Sequence, residues 1–80
     1  MNGVPQLTHR QVVERNIEND ARNVADVGRF EVVSQEIVVR LIAACASRLF
    51  QARACDREYG GELERSAEAN LRAALRYWVG

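Results

Sequence analysis

The sequence predicts an all-α fold: a small three-helix bundle with a long central helix and a C-terminal antiparallel helical hairpin. Apolar residues recur at intervals of three and four in three successive segments, which is the spacing of one helical face. A capping signal at Thr8 opens the first segment, and glycines at 28 and 60–61 separate the segments where helices can end. We therefore expect residues 1–80 to form one helical domain, with residues 1–7 as a flexible N-terminal segment.

The first helix is predicted over residues 8–27. Thr8 can cap the first turn, and Gln11 can reach back to it as the second half of a capping box. Gly28 follows as a C-cap residue, a position at which glycine often ends a helix. Four apolar residues recur at helical spacing and predict the buried face: Val13, Ile17, Ala21 and Val24.

The second segment allows two interpretations because its first third is rich in β-branched residues. Residues 30–33 and 36–39 could pair as a hairpin around Ser34-Gln35, although that pair lacks the Gly or Asn of a two-residue turn. Helix is favoured, beginning near Phe30 or at a cap on Ser34 and continuing to residue 59. The predicted core face is broad, as for a central helix that contacts two others: Ile37, Leu41, Ala44, Cys45, Leu49, Ala52 and Cys55, widened by Val38, Ile42 and Ala46.

The third segment is predicted to be a helix over residues 62–78. Gly60 can end the second helix, and Glu62 and Glu64 favour the start of the third because acidic side chains stabilise a helix N-terminus. A short glycine turn then places the last two helices antiparallel. One narrow apolar seam follows the turn: Leu63, Ala67, Leu71, Ala74 and Trp78.

The two cysteines, Cys45 and Cys55, are ten residues apart within the second predicted helix. Ten residues advance ~15 Å along a helix, whereas a disulfide needs Cα atoms within ~7 Å, so these two cannot pair in one continuous helix. A zinc site would have to add the single histidine, His9, and none of the three has the short ligand spacing of structural zinc sites. We predict two buried core residues and expect no metal and no cofactor.

The inventory of catalytic groups is thin, so we expect no enzyme activity. The chain has one histidine, no G-x-S-x-G nucleophile motif and no phosphate-binding glycine loop. Eleven arginines balance eleven acidic residues, which removes the long-range field that draws proteins to nucleic acid. The last predicted helix is itself neutral and begins with an acidic turn, so a weak DNA-binding regulator is only a minor alternative.

Hydropathy predicts that the chain does not enter a membrane. No segment approaches the ~20 apolar residues that span a bilayer, and the N-terminus has no apolar run. We therefore expect a cytoplasmic location, which is the host bacterial cytoplasm if a phage encodes the chain.

The chain has more large apolar side chains than the core of so small a bundle can easily bury. They either fill the bundle's own core or form an exposed patch, and exposed apolar patches edged by charge mark protein interfaces. On the second interpretation, the predicted partner-binding residues are Arg40, Arg48, Arg72, Tyr77 and Trp78. The surplus apolar residues are Phe30, Val32, Val33, Val38, Val39, Phe50, Tyr77, Trp78 and Val79.

These observations predict a non-enzymatic protein-binding module. Phages and other mobile elements often encode small cofactor-free proteins of this kind, which inhibit bacterial complexes. Anti-CRISPR proteins are an example. The alternative is a self-assembling structural subunit, such as a phage head-to-tail adaptor component, and it leaves a homo-oligomer open. In its helix pattern the predicted hairpin from Glu36 to Trp78, about half of the chain, resembles the alanine- and arginine-rich helical hairpins of short-tailed phage adaptors.

Overall fold

The structure, a computed structural model, describes residues 6–55 and 61–79. Those ranges contain three helices and no strand: α1 (His9–Val27), α2 (Gln35–Cys55) and α3 (Glu62–Leu75). The prediction of an all-α three-helix bundle is confirmed. The predicted end of the second helix at residue 59, the Gly60 turn and most of the N-terminal segment lie outside the described residues.

Each helix contacts the other two, and α2 runs antiparallel to both of its neighbours. The starts of α1 and α3 pack against the end of α2, where Leu49 shares a cluster with residues of both. The ends of α1 and α3 pack against the start of α2, around Leu41. The antiparallel arrangement predicted for the last two helices is therefore present, and α2 is the longest of the three.

The core consists of two clusters that follow one another along the bundle. Leu71 packs against both and joins them. The fully buried apolar side chains of the described residues are aliphatic or a thiol, so this core contains no fully buried aromatic ring. The first core cluster is formed by Val13, Ile17, Leu49, Ala52, Leu63 and Ala67, and the second by Val24, Val27, Leu41, Cys45 and Ala74.

The start of α1 has the predicted capping box. The Gln11 N–H donates to Thr8 Oγ1 at 3.1 Å, and the Thr8 N–H donates to Gln11 Oε1 at 2.8 Å. The first backbone N–H groups at the start of a helix have no carbonyl partner within the helix, and these two side-chain bonds supply acceptors there. The beginning of α1 is therefore set by two residues that are three positions apart.

The end of α1 lies at Gly28, as predicted, although its backbone is right-handed. Gly28 has φ −64° and ψ −12°, a conformation that any residue adopts. A Cβ at this position would lie 2.6 Å from the Tyr77 hydroxyl oxygen, which is closer than nonbonded atoms approach. Glycine at this position therefore allows the Tyr77 ring to lie against the end of α1.

One position of the predicted α1 face is wrong. Ala21 is exposed, and Asp20 is buried in its place. The buried residues of α1, at 13, 17, 20, 24 and 27, alternate steps of four and three, which keeps them on one side of a helix with 3.6 residues per turn. The register of the helix therefore places Asp20 on the core side, although its side chain is charged.

The start of α2 follows Ser34, whose carbonyl oxygen accepts a hydrogen bond from the Val38 N–H at 3.2 Å. Residues 36–39 are helical, so the hairpin alternative is wrong. The predicted face also needs correction, because Ile37 and Ala46 are exposed. Val38, predicted to widen this face, is fully buried. The buried positions 38, 41, 45, 49 and 52 again follow steps of three and four.

The end of α3 lies at Leu75, and not at the predicted residue 78. The N–H groups of residues 76, 77 and 78 each bond the carbonyl three residues back, at 3.1–3.3 Å, which tightens the chain into a turn. Trp78 therefore leaves the predicted seam and is 48% exposed. At the other end, Gly61 has φ 82°, and the predicted acidic residues Glu62 and Glu64 occupy the first turn.

A candidate protein-binding surface

Large apolar side chains are exposed mainly at one end of the bundle, where α1 ends, α2 begins and α3 ends. Ten are exposed within the described ranges, and seven of them belong to this end. The other three, Leu7, Val12 and Phe50, lie towards the opposite end. We call the set of seven the apolar end surface: Phe30, Val32, Ile37, Val39, Leu75, Trp78 and Val79.

The largest apolar rings of the chain lie outside its core. Phe30 and Phe50, its two phenylalanines, are 66% and 77% exposed, and its single tryptophan is Trp78. Full burial of a large apolar side chain is worth ~1.5–3 kcal/mol relative to leaving it in water. The chain alone gains little of that free energy from the Phe30 and Phe50 rings.

The segment that carries Trp78 is held by the side chain of Gln35. Gln35 Nε2 donates to the Tyr77 carbonyl oxygen at 3.1 Å, and the Val79 N–H donates to Gln35 Oε1 at 3.0 Å. We call these two bonds the Gln35 clasp. The Tyr77 ring packs against the second core cluster and approaches Gly28. Because the residues on both sides of Trp78 are bonded, its indole is presented from a constrained backbone.

Shallow grooves cross the apolar end surface. One has a volume of about 220 Å³, and its lining is entirely apolar: Val39, Ile42, Leu75 and Trp78. Two others share the Phe30 ring, and extend towards Val79 and towards Ile37. Those two have volumes of about 370 Å³ each. Pockets for small molecules bury most of the ligand, whereas all three grooves are open, so they suit side chains of a protein partner better.

The rim of this surface carries paired charges. Arg29 Nη1 lies 3.7 Å from Asp26 Oδ1, and Arg40 Nη2 donates to Glu36 Oε1 at 2.7 Å. All four side chains are largely exposed, so each pair contributes at most ~1 kcal/mol to stability. These pairs leave this part of the rim without a net charge.

Two further charges of opposite sign face one groove. Glu31 and Arg76 both line the groove beside Phe30. Neither forms an ion pair with another residue in the described part of the chain. Among the described residues, this groove therefore presents one carboxylate and one guanidinium without an ion-pair partner.

Three of the predicted partner-binding residues lie at this end. Tyr77 and Trp78 belong to the grooves, and Arg40 lies on the rim. Arg72 lies elsewhere on α3, where its Nη2 is 2.6 Å from a Glu68 carboxylate oxygen. The structure therefore does not group Arg72 with the other three.

Arg48 is not the exposed arginine that the sequence prediction assumed. Its side chain is 21% exposed. Its Nε donates to Asp20 Oδ2 at 3.0 Å, and its Nη1 donates to Gln51 Oε1 at 2.8 Å. A buried carboxylate without a partner is strongly unfavourable, so Arg48 points inward and neutralises Asp20. Arg48 is part of the internal structure of the bundle.

Several residues of the apolar end surface are missing from the predicted binding set. Ile37 is predicted to be a core residue, and Leu75 is not mentioned in the prediction. Leu75 could have been found from the sequence, because an apolar residue outside the buried seam of an amphipathic helix indicates an exposed apolar position. Val38, one of the surplus residues, is fully buried. The surplus residues that do belong to the surface, besides Trp78, are Phe30, Val32, Val39 and Val79.

Both cysteines are free thiols. Cys45 is fully buried in the second core cluster, as predicted, and Cys55 is half-buried against the first. Burial raises the pKa of the Cys45 thiol to about 11; the Asp20 carboxylate acts in the same direction and Arg48 in the opposite one. A thiol that stays protonated is a weak nucleophile, so Cys45 serves as a packing residue.

Within residues 6–55 and 61–79, no three side chains of histidine, cysteine, aspartate or glutamate are placed to share a metal ion. None of the described helices combines the length and the hydrophobicity needed to cross a bilayer.

No protein-family model, curated protein or solved structure matches the chain.

Proposed function

We propose that the chain is a non-enzymatic protein-binding module that holds its partner on the apolar end surface. One observation carries the proposal: Phe30 and Trp78 are exposed at one end of the bundle together with five aliphatic side chains. Aromatic residues are enriched at protein interfaces, and tryptophan is among the residue types most enriched in binding hot spots. Trp78, on its constrained backbone, is the proposed anchor.

The extent of the surface supports a protein partner. From their exposed fractions, the seven residues present on the order of 700 Å² to solvent, if large side chains expose ~150–250 Å² when fully free. The largest apolar patch of a typical monomer is ~300–600 Å², and each side of a stable protein interface covers ~800 Å². The summed exposed area of the seven residues is thus close to the size of one side of an interface.

The finer form of the proposal is an inhibitor or adaptor that acts on a larger bacterial complex in the cytoplasm. Its support is general: the chain is small and neutral, and many phage proteins of this size, including anti-CRISPR proteins, act by binding alone. A DNA-binding role gains no support from α3, because its first turn carries Glu62 and Glu64 and its Arg72 is paired with Glu68.

The second candidate function is a self-assembling subunit, for example a phage adaptor component. The observation that favours it is the balanced charge around the apolar end surface, because a surface that carries both signs can be complementary to itself. This candidate uses the same surface with a different partner.

A photo-cross-linking group on the surface tests the proposal directly. p-Benzoylphenylalanine replaces Val32, which is 89% exposed and therefore contributes little packing, and the chain is irradiated alone and in a bacterial lysate. We expect a covalent protein adduct from position 32. The matched control carries the same group at Phe50, an exposed aromatic position outside the surface. No adduct from position 32, or equal yields from both positions, would contradict the proposal.

A further inference from the structure

We infer that the partner on the apolar end surface is a second copy of this chain, related by a two-fold axis. The inference rests on the proposed function, because it names the partner of the same surface. Three features of the described residues carry it: the area of the surface, the charges beside Phe30, and the fixed position of Trp78.

The area is what one side of a dimer needs. A standard interface buries ~800 Å² per partner, and the seven residues alone expose on the order of 700 Å². In a two-fold dimer the same residues are used on both sides, so one surface of this size supplies the whole interface.

The charges in the groove beside Phe30 suit a copy of the same chain. Glu31 and Arg76 line this groove with opposite signs, and neither is paired among the described residues. Across a two-fold axis, residue i of one copy contacts residue j of the other, and j contacts i. Glu31 of one copy can therefore pair with Arg76 of the other, and the symmetry repeats the pair.

The overall charge also favours self-association. Eleven arginines balance eleven acidic residues and the pI is about 6.6, so two copies do not repel each other at neutral pH. A strongly acidic or basic foreign protein would gain no electrostatic steering from the paired rim charges. Among partners of defined chemistry, a neutral copy of this chain matches the rim best.

The fixed position of Trp78 lowers the cost of association. The Gln35 clasp holds the backbone on both sides of Trp78 before any partner arrives, so less conformational entropy is lost on binding. Trp78 also borders an apolar groove with Val39 and Leu75. Each copy therefore offers an aromatic side chain and a groove, the combination that an interface between identical surfaces requires.

The first test measures the molar mass of the purified chain by light scattering during size-exclusion chromatography, from about 1 to about 100 μM. We expect a mass of twice 9.0 kDa at the upper concentrations. Trp78→Ala should weaken the dimer about 30-fold or more, as the loss of a hot-spot residue does. Phe50→Ala removes an exposed aromatic ring outside the surface and should leave the dimer unchanged. Circular dichroism verifies that each variant remains helical.

The second test reverses the charges beside Phe30. Glu31→Arg and Arg76→Glu should each weaken the dimer about tenfold, because every reversal acts twice in a two-fold interface. The variant that carries both reversals should regain the wild-type affinity, because the two pairs form again with opposite polarity. Arg15→Glu, an exposed position on α1 away from the surface, controls for the change in net charge.

A monomer at every concentration overturns the dimer. A dimer that Trp78→Ala leaves intact, or charge reversals that the double variant does not rescue, also overturns it. The proposed function survives such a result if the cross-linker at position 32 still captures a foreign protein from the lysate. If position 32 captures neither a second copy nor a foreign protein, the proposed function fails together with the dimer.

Discussion

At the scale of single residues, Asp20 is the one buried charged residue among those described, at 5% exposure. It lies on α1 between Ile17 of the first core cluster and Val24 of the second. Arg48 supplies its counter-charge, and every buried side-chain nitrogen or oxygen of the described residues has a hydrogen-bond partner. A buried ion pair contributes little net free energy, but the loss of one partner leaves the other charge uncompensated.

We expect Asp20→Ala to lower the free energy of unfolding by about 2–4 kcal/mol, because the part-buried Arg48 guanidinium loses its carboxylate. Asp20→Ala combined with Arg48→Ala should cost less than the sum of the two single variants, since their interaction can be lost only once. Urea unfolding followed by circular dichroism measures all three variants. Strictly additive losses would show that the two side chains are not coupled.

The Cys45 thiol makes stability depend on pH on the alkaline side. In the folded chain its pKa is about 11, against an ordinary value of 9.0. Below pH 9.0 the thiol is protonated in both states, so its contribution to stability is complete. As the pH rises from 9.0 to about 11, the unfolded chain releases this proton and the folded chain retains it. Stability should therefore fall by about 2–3 kcal/mol over that window.

Urea midpoints of two cysteine variants, measured across the same pH window, isolate this effect. Cys45→Ala should remove most of the alkaline decline, because no buried thiol remains. Cys55→Ala, which changes the half-buried cysteine, should retain it. An equal decline in both variants would assign the loss to other groups, such as tyrosine.

At the scale of elements, the sequence predicts best what is decided within a few residues. The capping box of Thr8 and Gln11, the end of α1 at Gly28 and the acidic first turn of α3 all depend on near neighbours, and the structure has all of them. The sequence also predicts the three helical segments, because their apolar spacing is itself a local pattern.

The exact face of each helix is harder to predict. Adjacent residues are ~100° apart around a helix, so one misplaced position moves part of the face. The prediction chooses Ala21 over Asp20, and it places Ile37 at the centre of the α2 face although Ile37 is exposed. For Asp20 the deciding factor is the Arg48 side chain on α2, 28 positions later, which no pattern within α1 contains.

The candidate site is the least predictable part, because it depends on contacts between distant segments. The seam of α3 continues in sequence to Trp78, but the helix ends at Leu75. The Gln35 clasp joins residues 42 and 44 positions apart, and it fixes the direction that the final segment takes. Tyr77 and Trp78 are predicted as binding residues, whereas the role of Gln35 has no signal in the sequence.

We expect Gln35→Ala to loosen residues 76–79, because it removes both bonds of the Gln35 clasp. Each bond contributes about 0.5–1.5 kcal/mol, so amide exchange at Val79 should become faster and Trp78 fluorescence should change. Gln51→Ala is the control, because Gln51 bonds Arg48 and does not contact this segment. Unchanged exchange at Val79 would mean that other contacts hold the end of the chain.

At the scale of the whole molecule, the chain has a core of small side chains and leaves its largest rings outside. Twelve apolar residues among those described are buried, and none of them is aromatic. Domains of ~80 residues bury a smaller share of their surface than larger ones and are marginally stable alone. Covering Phe30 and Trp78 in a dimer would add apolar burial that this core lacks, so folding and association should be coupled.

That coupling predicts a melting temperature that depends on protein concentration, because mass action favours a dimer that dissociates when it unfolds. A hundredfold increase in protein concentration raises the free energy of unfolding of a dimer by about 1.4 kcal/mol per chain. For a domain of this size, that corresponds to a melting temperature about 5–10 °C higher. Phe50→Ala should retain the rise, and Trp78→Ala, whose dimer is weaker, should show a clearly smaller rise. If the wild-type chain shows no such rise, its core alone holds the fold, and the exposed rings at the apolar end surface are left for a foreign protein.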